Sequence, residues 1–195
     1  MPYVIYKENM NHSIVKPERN KQVLKRPIVL VGLMGAGKST IGRRLASEIN
    51  APFIDSDTAI SEAAECSISD IFAIYGETMF RDLEKRVMLR LLSEEPMVIA
   101  TGGGAFMNPD IREAIKEKGI SVWLRADIDV LVERVSRRNS RPLLEGGDKR
   151  AILTKLMQER GTVYSQADIV VDNNVNEHDK VVMEVVRKLE EKHEI

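Results

Sequence analysis

From residue 27 onward, short apolar runs alternate with longer stretches of helical period. The apolar runs fall at 28–31, 53–54, 97–100, 121–124 and 169–171, and their β-branched content marks them as buried strands. The helical stretches fall at 38–50, 58–65, 67–75, 76–93, 108–118, 128–138, 149–166 and 176–192. In the first of these, Ile41, Leu45, Ala46 and Ile49 share one face. Strands that alternate with helices predict βαβ units and a parallel sheet in an α/β fold. The helical stretches between the second and third strands exceed a minimal crossover, which predicts a subdomain at about 57–85. Pro142, Gly146 and Gly147 break the helical pattern before 149, so residues of about 139–149 are expected to form a mobile lid.

Residues 1–26 lack a clear period and carry six basic residues, among them Lys7, Arg19 and Arg26, against Glu8 and Glu18. They read as a flexible basic extension ahead of a single domain at 27–195. A chain of 195 residues, 43% of them hydrophobic, is enough for one α/β domain with a sizeable core. The formal net charge of -1 gives no global attraction to nucleic acid or membrane. Cys66 is alone, which excludes an internal disulfide, and His12, His178 and His193 show no ligand spacing and are expected at the surface. No apolar run approaches the roughly 20 residues of a bilayer span, and no secretory signal is evident, so the cytoplasm is the expected compartment. Trp123, in the fourth strand, is expected to serve core packing.

The chemistry begins at residues 32–40, Gly-Leu-Met-Gly-Ala-Gly-Lys-Ser-Thr. This is a P-loop pattern between a predicted strand and a predicted helix, the context in which it cradles nucleotide phosphates. Gly35, Ala36, Gly37, Lys38, Ser39 and Thr40 are the expected phosphate contacts. Lys38 is placed to reach the β- and γ-phosphates, and the Ser39 hydroxyl to ligate Mg2+.

Three further groups follow, two at predicted strand ends and one of scattered arginines. Asp55-Ser56-Asp57 follows the second strand. At the carboxyl end of a parallel strand, two acids suit a Mg2+ shell and an acceptor hydroxyl. The competing reading is structural, because an acid just before a helix also caps it. Thr101-Gly102-Gly103-Gly104 follows the third strand and reads either as a turn or as backbone approached closely by an anionic ligand. Arg81, three residues before Glu84, opens an amphipathic helix, while Arg141 lies in the expected lid and Arg160 precedes Tyr164 by four. None of the three arginines is informative alone, and Arg81–Glu84 by itself is no more than a surface ion pair.

Together the P-loop, Asp-Ser-Asp at 55–57, Phe-Arg-x-x-Glu at 80–84, the triple glycine, Arg-Pro-Leu-Leu at 141–144 and Arg-x-x-x-Tyr at 160–164 resemble the shikimate kinase family. That family belongs to the nucleoside-monophosphate-kinase-like P-loop kinases, and the resemblance runs from residue 28 to about 175. It implies a three-layer fold on a five-stranded parallel sheet of order 2-3-1-4-5. It also implies transfer of the ATP γ-phosphoryl group to the 3-hydroxyl of shikimate, on the route to chorismate and the aromatic amino acids, probed best by an acceptor screen. By the same resemblance Asp57 holds the acceptor hydroxyl, and Arg81, Arg160 and Gly103 bind shikimate. Asp55 meets Mg2+ through water, Arg134 packs on adenine, and Arg141 meets the transferring phosphate. Phe72, Phe80, Glu84, Pro142 and Leu143 shape the acceptor pocket. The expected partners are therefore ATP, Mg2+ and shikimate, on a monomer with no nucleic acid or membrane partner. One departure from the family is Thr162, where proline is frequent. Two rivals remain: another small-molecule kinase of this fold, such as a gluconate kinase, and a non-catalytic nucleotide switch.

Overall fold

The computed structural model describes residues 24–137, 147–174 and 177–195. Five parallel strands, β1 (Ile28–Val31), β2 (Phe53–Asp55), β3 (Val98–Ala100), β4 (Ile120–Arg125) and β5 (Ile169–Asp172), form one sheet in the order β2-β3-β1-β4-β5. β1 is the middle strand. It pairs Ile28 with Val98 on one side and with Ile120 on the other, and all four of its residues are fully buried. This is why it reads as an uninterrupted apolar run: helices cover both faces of the sheet.

The helices are α1 (Lys38–Glu48), α2 (Ser56–Ala64), α3 (Ile68–Leu91), α4 (Pro109–Lys118), α5 (Ile128–Ser136), α6 (Lys149–Tyr164) and α7 (His178–Glu191). Ile41, Leu45 and Ala46 of α1 are buried, as their spacing predicts. Helix α4 starts one residue later than its pattern suggests, because Asn108 is the N-cap and accepts from the backbone N–H groups of Asp110 and Ile111. Tyr164 stacks on Trp123 and Phe106 beneath the sheet's carboxyl edge, so Trp123 is a core residue as expected.

The stretches 67–75 and 76–93 are two helices, as their patterns predict, and α3 spans both across a kink where Gly76 takes the non-helical φ 78 and ψ 174. The sequence differs from the structure at several informative points. A short 3-10 turn at Ala105–Met107, too brief to carry a period, follows the triple glycine. Leu24 is buried, the Lys25 N–H donates to the Glu194 carbonyl, and Arg26 pairs with the Glu194 carboxylate. Residues 24–26, read with the extension, therefore pack on the chain's far end. Residues 1–23 and most of the expected lid, with Arg141, Pro142 and Leu143, lie outside the described residues. Among the described residues no helix is long and apolar enough to cross a membrane.

Candidate active site

The carboxyl ends of β1, β2 and β3 open onto one cleft of about 830 Å³. Its nucleotide side is built by the β1–α1 junction. Gly37 is the N-cap of α1 at φ 88, a left-handed conformation that suits glycine. It offers no side-chain cap, and the first turn of α1 holds no acid. The first-turn N–H groups and the helix dipole are thus left for an external anion. Lys38 Nζ donates to the carbonyls of Gly32 (2.8 Å) and Leu33 (3.0 Å), which holds the ammonium against the loop. Gly35, Gly37, Lys38, Ser39 and Thr40 all line the cleft, while Ala36 is buried behind them.

Ser39 Oγ donates to Asp55 Oδ2 at 2.6 Å, so the P-loop hydroxyl and the first acid of the β2 cluster share one corner. Among the described residues no group of three or more His, Cys, Asp or Glu side chains is arranged to hold a metal. A hydroxyl and one carboxylate beside a phosphate cradle nevertheless fit Mg2+, which takes few protein oxygens and completes its shell with water and phosphate.

Helix α2 begins at Ser56, two residues before its pattern predicts. The reason is local. Asp55, not Asp57, is the cap, accepting from the Asp57 N–H at 3.1 Å. Asp57 thereby stands in the first turn of α2 and faces the cleft. The capping alternative for Asp57 falls to its neighbour.

Across the cleft, Gly102 lies under two carboxylates. A Cβ there would sit 2.9 Å from Asp57 Oδ1 and 3.1 Å from Glu84 Oε1. At Gly104 a Cβ would be 2.6 Å from Arg81 Nη1. The triple glycine is thus a matter of space: the Asp57, Glu84 and Arg81 side chains close over bare backbone. Tyr164 is fully buried and its hydroxyl donates to the Gly103 carbonyl, which also accepts from Arg160 Nη1 at 3.0 Å. Burial pushes the Tyr164 phenol up to about 12, so it remains a donor at neutral pH.

Arg81 is fixed from two sides. Its Nη1 donates to Glu84 Oε2 at 2.7 Å, and its Nε and Nη2 reach Glu77 Oε1 at 3.3 and 3.1 Å. The guanidinium also lies over the Phe80 ring. The Glu84 partner is 1% exposed, so this pair is not the surface ion pair that the spacing alone suggests. Burial raises the pKa of Glu84, opposed by Arg81, and Asp57 pushes it in the same direction as burial. Glu84 Oε1 has no hydrogen-bond partner among the described residues, which leaves a buried hydrogen-bond acceptor at the glycine-turn end of the cleft. Phe72 and Phe80 pack with their rings tilted at 33° and their centroids 4.5 Å apart, and both line the cleft.

Arg134, on α5, lines the far end and donates from Nη1 to the Asn173 carbonyl at 2.9 Å. Burial lowers its pKa. Two residues there were missed by the sequence reading. Arg137 also lines the cleft, and His178 faces it from the first turn of α7 instead of standing at the surface like His193. Burial first, then Arg44 and Arg134, lowers the His178 pKa. The signal available was positional: His178 follows the fifth strand, whose carboxyl end borders the P-loop.

The comparisons with known proteins agree with this geometry. The family model described as shikimate kinase matches residues 34–190. The chain belongs to the shikimate kinase family. A shikimate kinase of Brucella canis is 50% identical over 173 residues, covering 88% of this chain and 86% of the relative. One from Bartonella quintana is 44% identical over 188 residues, covering 94% and 90%. A solved structure of shikimate kinase from Acinetobacter baumannii in complex with shikimate superposes with a TM-score of 0.82 at 32% identity, covering 88% of this chain and 96% of that one. The chain is thus an ATP-dependent kinase on the five-stranded fold its motifs imply.

Proposed function

We propose that this cleft transfers the γ-phosphoryl group of ATP to the 3-hydroxyl of shikimate, with the roles divided between its two ends. The observation that carries the reading is the convergence of Asp57, Glu84, Arg81 and Arg160 on the glycine turn opposite the P-loop. A polyhydroxy carboxylate needs cations for its carboxylate and acceptors for its hydroxyls, and this end of the cleft holds both.

Phosphoryl transfer depends on positioning and on charge neutralisation more than on covalent chemistry. Lys38 and the first-turn N–H groups of α1 hold the phosphates. Ser39 and, through water, Asp55 would hold Mg2+, which supplies charge on the phosphate oxygens when bound. Asp57 orients the acceptor hydroxyl and takes its proton. Arg81 and Arg160 grip the substrate carboxylate, and the Phe72–Phe80 wall excludes water beside it. Arg134 forms the adenine end. Arg141 belongs to this reading by resemblance, as the cation that meets the transferring phosphate. A monomer working in the cytoplasm completes the proposal, and sedimentation of the pure protein tests the first part.

The decisive measurement is ADP release with shikimate, gluconate or nucleoside monophosphates as acceptor. Turnover is expected with shikimate alone. Release with gluconate instead would move the chain to another small-molecule kinase activity. Release that ignores every acceptor would leave only a nucleotide-hydrolysing switch.

A further inference from the structure

Asn173 follows β5 and is fully buried, yet it does not line the cleft. Each of its polar groups but one is engaged. Its N–H donates to the Arg125 carbonyl at 2.7 Å, which continues the β4–β5 ladder by one residue. Its carbonyl accepts from Arg134 Nη1 at 2.9 Å. Its side-chain Nδ2 donates to the carbonyl of Ala36, inside the P-loop, at 2.8 Å. A Cβ on Gly37 would lie 2.8 Å from the same Nδ2, so the amide fits here only against a glycine.

One residue thus bonds both the loop expected to hold the phosphates and the arginine expected at the adenine. Asn174 braces the same corner: its side chain accepts from the Asp127 N–H at 2.8 Å and donates to the Asp127 carboxylate at 2.9 Å, at the start of α5. The loop carbonyl needs this bond. With the Ala36 carbonyl held by Asn173, the Gly37 N–H of the same peptide points the opposite way, because the peptide plane is rigid. A buried carbonyl left without a donor would favour a rotated plane.

We propose that Asn173 is a positioning residue for ATP, fixing the Ala36 peptide and Arg134 in the relative placement that nucleotide binding requires. It touches no reacting atom and acts through the loop and through the arginine. The inference rests on the reading of this cleft as an ATP site.

Asn173→Leu keeps the branching of the heavy atoms, though it is bulkier, and loses the donor, while Asn173→Ala loses both. ATP binding to wild type, by calorimetry with the non-hydrolysable analogue, is measured first. Should wild type fail to bind, the ATP reading falls and the proposal with it. With wild-type binding in hand, both variants are expected to raise KM for ATP about tenfold, the scale of one buried hydrogen bond. KM for shikimate should stay within about twofold. A lowered melting temperature with unchanged KM for ATP would overturn the proposal and leave Asn173 a purely structural residue. Equal rises in both KM values, or failure of both variants to fold, would overturn it in the same way.

Discussion

Lys38 has two carbonyl partners from its own loop and an open cleft before it, so its ammonium costs the fold little to lose. Lys38→Ala is expected to melt within a few degrees of wild type and to abolish turnover, because the charge it brings to the transferring phosphate is lost. Near-normal activity would remove the P-loop from the mechanism. Asp57→Asn preserves shape but takes no proton, and kcat should fall by about 10²-fold or more. Since Asp55 is the residue that caps α2, this variant should keep its thermal stability, and a stability loss without a rate loss would return Asp57 to a structural part. His178 gives a pH signature. Its folded pKa is depressed below the ordinary 6.5, so the folded state prefers the neutral ring. The sign follows from linkage: below about 6.5 the unfolded chain takes up the proton more readily, and stability falls as pH falls. Melting curves from pH 7.5 downward should show a steeper loss for wild type than for His178→Gln. Parallel curves would mean that the ring is as solvated folded as unfolded.

At the scale of elements, much was legible because each strand and helix carries its own period. β1 and α1 needed only the apolar run, the glycines and the face of Ile41, Leu45 and Ala46. What was not legible depends on contacts across the chain. The burial of Glu84 is invisible in a spacing of three from Arg81, and the role of Asn173 requires β5 to lie next to β4 and the P-loop. Helix α3 shows both cases. Its break at Gly76 was readable as a helix boundary, but the period alone does not show that Phe72 before the break and Phe80, Arg81 and Glu84 after it line one cleft. At φ 78 and ψ 174, Gly76 occupies a region essentially closed to other residues, although nothing lies within 4 Å of where its Cβ would be. Gly76→Ala should therefore cost about 1–3 kcal/mol from backbone strain alone. Urea unfolding measures the loss, and an unchanged midpoint would show that the bend has another conformation available. The same variant should weaken shikimate binding more than ATP binding, because the two walls of the acceptor end stand on either side of the bend.

For the molecule as a whole, the sheet order decides which of the proposed site residues meet. β1 brings the P-loop to the middle of the carboxyl edge, β2 and β3 bring Asp57 and the glycine turn to one side, and β5 with α7 brings Asn173 and His178 to the other. The acceptor end and the nucleotide end thus lie in one cleft but rest on different elements, and each ligand should stabilise the fold separately. A ligand at one hundred times its Kd adds about 2.7 kcal/mol. For a chain of this size that corresponds to a rise of about 5–11 °C in melting temperature. Shikimate and ADP are each expected to give such a rise, and gluconate none. Arg160→Ala should erase most of the shikimate shift and retain the ADP shift, because Arg160 bonds the Gly103 carbonyl at the acceptor end. If Arg160→Ala lost both shifts equally, the arginine would be serving the fold, and the division of the cleft into two ends would have to be abandoned.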